Sequence, residues 1–395
     1  MKIAAILEGS VVNGGGFSQA LNAVLQMASI SNGKFEFVVF TSILENIDYL
    51  KRLEIVAKPF KPSLKEKFIT VCALNVVGRW MQRKLNLVGK FEKNLLKEKV
   101  DLVYFVEPSM LAISLQKLNY ITTVWDICHR DSPEFPEVRV CNEFYERELF
   151  YKNCLAPALA VLTDSVILSE RISRRYGIDF DCMIAMPFAP APFMTEQHAE
   201  CHKGVLQKYN LNKGYYFYPA QFWAHKNHVR ILEAMSILNE QSVPCQVVFS
   251  GGDQGTREHV ANIVETLGLD EQVRFLGFVP VEDVKGLYDG CLAVVMPSYF
   301  GPTNLPPLEA WSIGKPLIYS KHFSEQAGDA ALLVDPDDAQ SIAKAMKEIM
   351  TPHIAERLVK RGHERLHEIA NQREHAEVEL VKRLTQFEVR RRTWF

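Results

Sequence analysis

No Cys-x-x-Cys pair occurs among the eight cysteines, which stand at 72, 128, 141, 154, 182, 201, 245 and 291. That spacing excludes a zinc ribbon and a thioredoxin-type motif, and fits reduced, mostly buried thiols in a cytoplasmic protein. Net charge is almost absent, with 45 Lys and Arg against 47 Asp and Glu. A nucleic-acid binder carries a basic excess, so no nucleic acid is expected as a partner. No apolar run approaches the roughly eighteen residues of a membrane span. The opening Lys2–Leu7 lacks a small-residue cleavage site and runs into a glycine loop, so it reads as a first strand rather than a signal peptide. No internal repeat or low-complexity tract stands out.

What is present is alternation. With 395 residues, 48% of them hydrophobic, the chain is long enough for two cores. Strand-like runs alternate with longer helical patterns throughout, the signature of parallel α/β sheets. In the first half the strands are expected at Ile3–Leu7, Phe35–Phe40, Leu102–Val106, Ile121–Trp125 and Leu159–Leu162. In the second they are expected at Tyr215–Pro219, Cys245–Ser250, Val273–Leu276, Leu292–Met296, Pro316–Tyr319 and Ala331–Val334. Between the two series, Met186–Phe193 holds three prolines, which disfavour both helix and central strand. The domains are therefore expected at 1–190 and 191–370, two Rossmann-like units facing across a cleft that is the default ligand site. Residues 371–395 form a C-terminal helix that can return to the first domain.

The most informative stretch is Pro297–Ala310. An apolar strand, Cys291–Met296, runs into a Pro/Gly-rich loop and then a helix with Glu309 one turn in. Amides at a helix N-terminus attract anions, and a carboxylate nearby can accept hydrogen bonds from a ribose. Four more post-strand loops carry compatible chemistry. Gly14, Gly15 and Gly16 let backbone approach a ligand ahead of a helix, although the loop matches neither Gly-x-Gly-x-x-Gly nor a Walker motif. Lys226 follows the strand Tyr215–Pro219, where it can neutralise a diphosphate. Gly251 and Gly252, then Gly277 and Phe278, follow two further strands, where a base or ribose can lie against the backbone.

Taken in order, these pieces resemble the retaining glycosyltransferases of family 4, which have the GT-B fold. The likeness is close over residues 215–350 and looser before them. Lys226-Asn227, Gly251-Gly252, Leu276–Val279, Leu287–Ser298, Leu305–Ala310, Gly314–Ile318, Glu325 and Gly328–Pro336 carry it. The resemblance implies transfer of a sugar from a nucleotide diphosphate sugar to a glycan or lipid-linked saccharide, with anomeric configuration retained. No metal is required. Lys226 is then expected to stabilise the leaving diphosphate and Glu309 to bind ribose hydroxyls. Thr303, Asn304 and Leu305 would hold phosphate or sugar, and Gly15, Gly16, Gln221, Gly251 and Phe278 would complete the nucleotide-sugar site. The family's polar residue over the anomeric carbon corresponds to Asp126 or His129, directly after a strand.

Two positions depart from the family pattern. Gly301 stands where a sugar-binding Glu is usual, and Gln221 where an Arg is usual. Arg130 and Arg257 are the bases available to replace the missing charge. Either the donor preference differs, or the chain is a catalytically silent nucleotide-sugar- or glycan-binding partner subunit.

Two further signals compete. His363, Glu364 and His367 match the His-Glu-x-x-His pattern of zinc hydrolases, with Glu388 as the third ligand to consider. The densely charged flanks read instead as a solvated helix. Residues 58–99 hold nine lysines and two arginines against three glutamates, interleaved with Phe68, Val71, Val77, Trp80, Met81, Leu85 and other apolar residues. That pattern suits either an amphipathic helix pair with a solvated basic face or adsorption to an anionic membrane. A cytoplasmic enzyme, peripheral at the inner membrane face, working in cell-surface polysaccharide or lipopolysaccharide assembly, is the resulting expectation.

Overall fold

The computed structural model describes residues 1–10, 15–61, 64–74, 76–191, 194 and 204–394. It divides into two compact units. The first comprises Met1–Asp131, Cys141–Phe188 and Asn371–Phe395, and the second Ser132–Val140 and Ala189–Ala370. Gly14, Pro192 and Phe193 lie outside the described residues.

The first unit is built on seven parallel strands: β1 Lys2–Leu7, β2 Glu36–Thr41, β3 Ala57–Pro59, β4 Leu102–Phe105, β5 Asn119–Val124, β6 Ala160–Thr163 and β7 Met183–Ala185. Their order is β3-β2-β1-β4-β5-β6-β7, with Ile3 opposite Leu102 and Ile6 opposite Phe105. The central strands read as unbroken apolar runs because both faces are covered. Along β1, Ala4 and Ile6 enter one core, while Ile3, Ala5 and Leu7 enter the other. The second of these cores also takes Ala376, Leu380, Leu384 and Phe387. Their spacing is one stripe of a helix, the end of the 40-residue Pro352–Arg391.

The second unit carries six parallel strands: β8 Tyr215–Pro219, β9 Val247–Ser250, β10 Val273–Phe275, β11 Cys291–Met296, β12 Leu317–Ser320 and β13 Leu332–Val334, in the order β10-β9-β8-β11-β12-β13. Helices His228–Glu240 and Ala339–Ile349 pack together through buried faces that include Ile231, Met235, Ile342 and Met346. Trp311 is fully buried, and its indole N–H donates to the Ala330 carbonyl at 3.1 Å. Gly362 admits the long helix beside that ring, since a Cβ there would fall 2.5 Å from Trp311 Cδ1.

In each sheet the direction of winding reverses once, between β1 and β4 and between β8 and β11. At such a switch point the loops leaving adjacent strands turn opposite ways and open a crevice at the carboxyl edge. Strands β3 and β7 were not expected from the sequence. Both are three-residue edge strands, as are the expected β10 and β13, but Ala57-Lys58-Pro59 lacks an apolar run and Met183–Ala185 leads straight into the Pro-rich stretch from Met186.

Candidate functional site

The crevice between β8 and β11 gathers most of the expected donor residues of the second unit. After β8, the turn Ala224–Lys226 ends at Asn227, whose backbone is left-handed (φ 62°). The Asn227 side chain donates to the carbonyls of Pro297 (3.0 Å) and Pro336 (2.8 Å). Tyr218, fully buried in β8, ties both loops together: its hydroxyl donates to the Lys226 carbonyl (2.8 Å) and sits 2.8 Å from Ser298 Oγ. Lys226 Nζ then lies 3.4 Å from Asn304 Oδ1. Asn304 caps the helix Leu305–Ser312 and is itself fixed by a buried network. Its amide donates to Gln326 Oε1 (3.0 Å), its side-chain nitrogen to the Tyr319 hydroxyl (2.7 Å), and its carbonyl accepts from Gln326 Nε2 (2.8 Å).

Glu309 lies one turn into that helix, buried, and accepts from the Tyr288 hydroxyl at 2.6 Å. Burial pushes its carboxyl up to about 7, against the lowering effect of the Tyr288 bond. Gly301 has φ +143°, a conformation that L side chains rarely adopt. A Cβ built there would lie 3.7 Å from Asn304 Oδ1 and 4.0 Å from Lys226 Nζ, so the glycine backbone borders the same pair. Gly251 is needed for close approach: its backbone is at φ +153°, and a Cβ would fall 2.3 Å from the Ala220 carbonyl oxygen. Phe278 is more than half exposed beside Gly277. Gln221 is occupied locally, accepting from Trp223 Nε1 at 3.0 Å.

The first-unit residues have other commitments. Gly15 and Gly16 open the helix Gly15–Ser31, with Gly16 close to the Trp125 ring. Asp126 pairs with Arg147 and accepts from the Cys128 amide at 2.9 Å. Burial alone would raise this carboxyl, but Arg147 and Cys128 outweigh it and hold it below its ordinary value. His129 is fully buried, stacked 5.2 Å from Tyr151, with Nε2 3.0 Å from Glu148 and 3.2 Å from the Tyr176 hydroxyl. Burial and Arg147 keep its pKa below the usual imidazole value despite Glu148. In this structure His129 braces the loop after β5 from inside, whereas Asp126 is half-buried at the strand end. Arg130 is no spare base, since it forks onto Glu148 through two bonds of 2.6 Å. Arg257 is exposed at the start of the helix Arg257–Thr266, over the Phe275 ring.

At the other switch point, β1 and β4 border a cavity of about 690 Å³ lined by Glu8, Glu66, Thr70, Glu107, Ser109 and neighbouring apolar residues. Glu107 accepts from the amides of Glu8 (2.6 Å) and Gly9 (2.7 Å). Burial raises both Glu8 and Glu107, in Glu8 with a contribution from the neighbouring Glu107 charge. Among the described residues, the lining includes no lysine, arginine or histidine. Glu107 follows a strand at the carboxyl edge, and that placement is the signal by which the sequence marks it. Tyr288 and Gln326 carry no such mark, because helix interiors look alike until their tertiary neighbours are known.

The zinc pattern does not assemble. His363 and His367 are exposed on the long helix, Glu364 pairs with Arg361 at 2.6 Å, and Glu388 lies turns further on, paired with the Met1 amino group at 3.0 Å. Among the described residues no group of three His, Cys, Asp or Glu could hold a metal ion. Among them too, no helix is long and apolar enough to cross a membrane. Helices Leu64–Ala73 and Val76–Lys84 nonetheless expose Val71, Val77, Trp80 and Met81.

Comparison with known proteins agrees with this geometry. The sequence model of the family described as "Glycosyl transferases group 1" matches residues 206–365, the stretch that holds Lys226, Asn304 and Glu309. The O-antigen chain mannosyltransferase B of Escherichia coli is 32% identical over 229 residues, 56% of this chain and 59% of that protein. The O-antigen chain mannosyltransferase RfbU of Salmonella typhimurium is 25% identical over 191 residues, 48% of this chain and 50% of that one. The chain thus spans between a half and three fifths of these relatives' lengths. In fold, it matches a glycosyltransferase from Rickettsia africae (TM-score 0.69, 15% identity, 98% of each chain). It also matches Anabaena Alr3699/HepE, solved in complex with UDP and glucose (TM-score 0.69, 15% identity, 98% of this chain and 100% of that one). Residues 206–365 thus match the model of the glycosyl transferases group 1, and the two parallel-sheet, Rossmann-like units have the GT-B fold of these solved glycosyltransferases.

Proposed function

We propose that the protein is a retaining glycosyltransferase that moves a sugar, with mannose the first to test, from a nucleoside diphosphate sugar onto a glycan or lipid-linked saccharide of the cell surface. The observation that carries this reading is the convergence of Lys226, Gly301 and Asn304 on one crevice, with Glu309 a turn away. The names of the similar mannosyltransferases support the choice of sugar.

In this reading the bond between the anomeric carbon and the diphosphate oxygen breaks, and its electron pair stays with the diphosphate. Lys226 and the Leu305 amide at the start of Leu305–Ser312, where Pro306 and Pro307 carry no N–H, stabilise that charge as it develops, which is where the largest share of the rate arises. The acceptor hydroxyl oxygen bonds to the same face of the anomeric carbon and its proton passes to the departing phosphate oxygen. Glu309 receives ribose hydroxyls, and Phe278 and Gly251 flank the base and ribose. Asp126 is the better placed of the two strand-end residues to meet the sugar, because His129 is enclosed.

The cavity between β1 and β4 is the acceptor's place in this scheme. Its carboxyl oxygens accept hydrogen bonds from sugar hydroxyls but oppose an anion, so the acceptor end is an uncharged sugar rather than a phosphorylated one. Exposed Val71 lines that cavity and belongs to the apolar, lysine-rich helix pair. This favours a peripheral position on an anionic membrane face, beside a lipid-linked acceptor.

Incubation with a panel including GDP-mannose and UDP-glucose, with neutral oligosaccharide acceptors and product analysis by mass and anomeric NMR, tests the proposal. A retained α or β configuration in a transferred sugar is expected. Binding of nucleotide sugars without turnover across the panel makes the chain a silent partner subunit, and no binding at all removes the donor reading.

A further inference from the structure

Two side chains from far outside the family-matched stretch pack on the loops after β8 and β11. They lie in Ser132–Val140, which interrupts the first unit in sequence yet groups with the second. Glu137, in the helical turn Pro136–Arg139, accepts from the His225 amide at 3.0 Å and pairs with His225 Nδ1 at 2.5 Å. The His225 ring lies flat on Phe300, with centroids 4.3 Å apart and planes 18° apart. Phe135 closes on the same place, edge-on to Phe300 at 5.0 Å and tilted to Tyr299 at 5.3 Å. The Tyr299 amide donates back to the His225 carbonyl at 2.9 Å.

The consequence falls on the next residue of each loop. His225 precedes Lys226 and Phe300 precedes Gly301, so the stack between the first pair sets the spacing between the second. That spacing is the one at which a Gly301 Cβ would sit 4.0 Å from Lys226 Nζ. Burial by itself raises the Glu137 carboxyl, but the His225 ring and backbone amides outweigh it and keep the group below its ordinary value. Glu137 is therefore ionised at neutral pH, as a clamp built on a charged hydrogen bond requires.

We propose that Glu137 is a positioning residue for the donor loop: through His225, and with Phe135, it holds Tyr299-Phe300 so that Lys226, Gly301 and Asn304 keep the spacing on which donor affinity depends. This rests on the reading of that loop as the donor site. The clamp itself does not, and the two are tested separately.

The variants are Glu137→Ala, Glu137→Gln and Phe135→Ala, with Glu134→Ala as an exposed control from the same segment. Amide hydrogen exchange is measured on the ligand-free protein. Glu137→Ala and Phe135→Ala are expected to speed exchange at 298–304 about threefold or more while leaving the helix His228–Glu240 unchanged. With the donor that the wild type turns over, both are expected to raise donor KM about tenfold with kcat held within about threefold. Glu137→Gln keeps an oxygen acceptor without the charge and should fall between, and Glu134→Ala should match wild type. Unchanged exchange at 298–304, or a uniform rise across the unit, overturns the clamp. A fall in kcat at constant donor KM overturns its link to donor affinity. If wild type binds neither GDP nor UDP by calorimetry, the donor reading fails, and the exchange result alone decides the clamp.

Discussion

Glu309 should make the protein less stable at the pH where it works. Its carboxyl ionises near 4.5 in an unfolded chain and near 7 in the folded one, because burial disfavours the charge. Below pH 4.5 both states are protonated and the folded state bears no cost. As pH rises through 4.5 the unfolded chain ionises first, and stability falls until the folded carboxyl also ionises near 7. At about 1.4 kcal/mol per pH unit of difference, the loss approaches about 3 kcal/mol by pH 8. Glu309→Gln carries no charge over this range, and its carbonyl oxygen can still accept the Tyr288 hydroxyl. The variant is thus expected to outlast wild type in urea by up to about 3 kcal/mol at pH 8, and by under about 1 kcal/mol at pH 5. Fluorescence, to which the buried Trp311 contributes, follows the unfolding of this unit. Every other titrating group changes equally in both proteins and cancels in the comparison. Nucleotide binding should move the opposite way and weaken in the variant, as expected where a site is maintained at the expense of stability. An equal change from pH 5 to pH 8 in the two proteins would refute the reasoning.

Lys226→Ala should lower transfer at least about tenfold, or about 1.4 kcal/mol of transition-state stabilisation, in an initial-rate assay; wild-type rates in the variant would remove Lys226 from the site. Gly362→Ala improves helix propensity by about 1 kcal/mol yet forces a methyl to within 2.5 Å of Trp311 Cδ1. A net loss of about 1–3 kcal/mol in urea unfolding is expected from that overpacking. In flotation, vesicles with acidic lipid should carry the protein while neutral vesicles should not, and Trp80→Ala with Met81→Ala should release it; equal recovery without acidic lipid sinks the membrane reading.

The central strands were legible because burial on both faces leaves an unbroken apolar run, as in Tyr215–Pro219 and Cys291–Met296. Strands β3 and β7 were not: Ala57-Lys58-Pro59 lacks an apolar run, and Met183–Ala185 merges with the Pro-rich stretch that follows. The loops that follow the central strands were legible for the same reason as the strands. Lys226 and Glu309 could be named as candidates because they follow strand ends in an order that resembles a family pattern. What each polar side chain is already bonded to was not legible. Asp126, His129 and Arg130 look equivalent in the sequence, and only the fold shows that Arg147 and Glu148 have claimed them. Likewise Glu137 and His225 lie far apart in the chain, and no pattern links them before the chain folds.

Gly301 shows the difference between reading an absence and explaining one. In the sequence it is a missing carboxylate at a position where the resemblance leads one to expect a glutamate, which invites the conclusion that a function has been deleted. In the structure the residue has φ +143°, and a Cβ would meet nothing closer than 3.7 Å, so space does not forbid a side chain. The backbone does, because that conformation strains any L residue. The loop follows a path on which a glutamate would be costly, and that path brings Asn304 within 3.4 Å of Lys226. Asn304 is held there by Gln326 and Tyr319, so its amide is a fixed polar group beside the lysine rather than a mobile one. Restoring a carboxylate at 301 would then disturb the Lys226–Asn304 pair before it could contact a sugar, and the search for donor specificity belongs at Asn304 and the two residues that hold it.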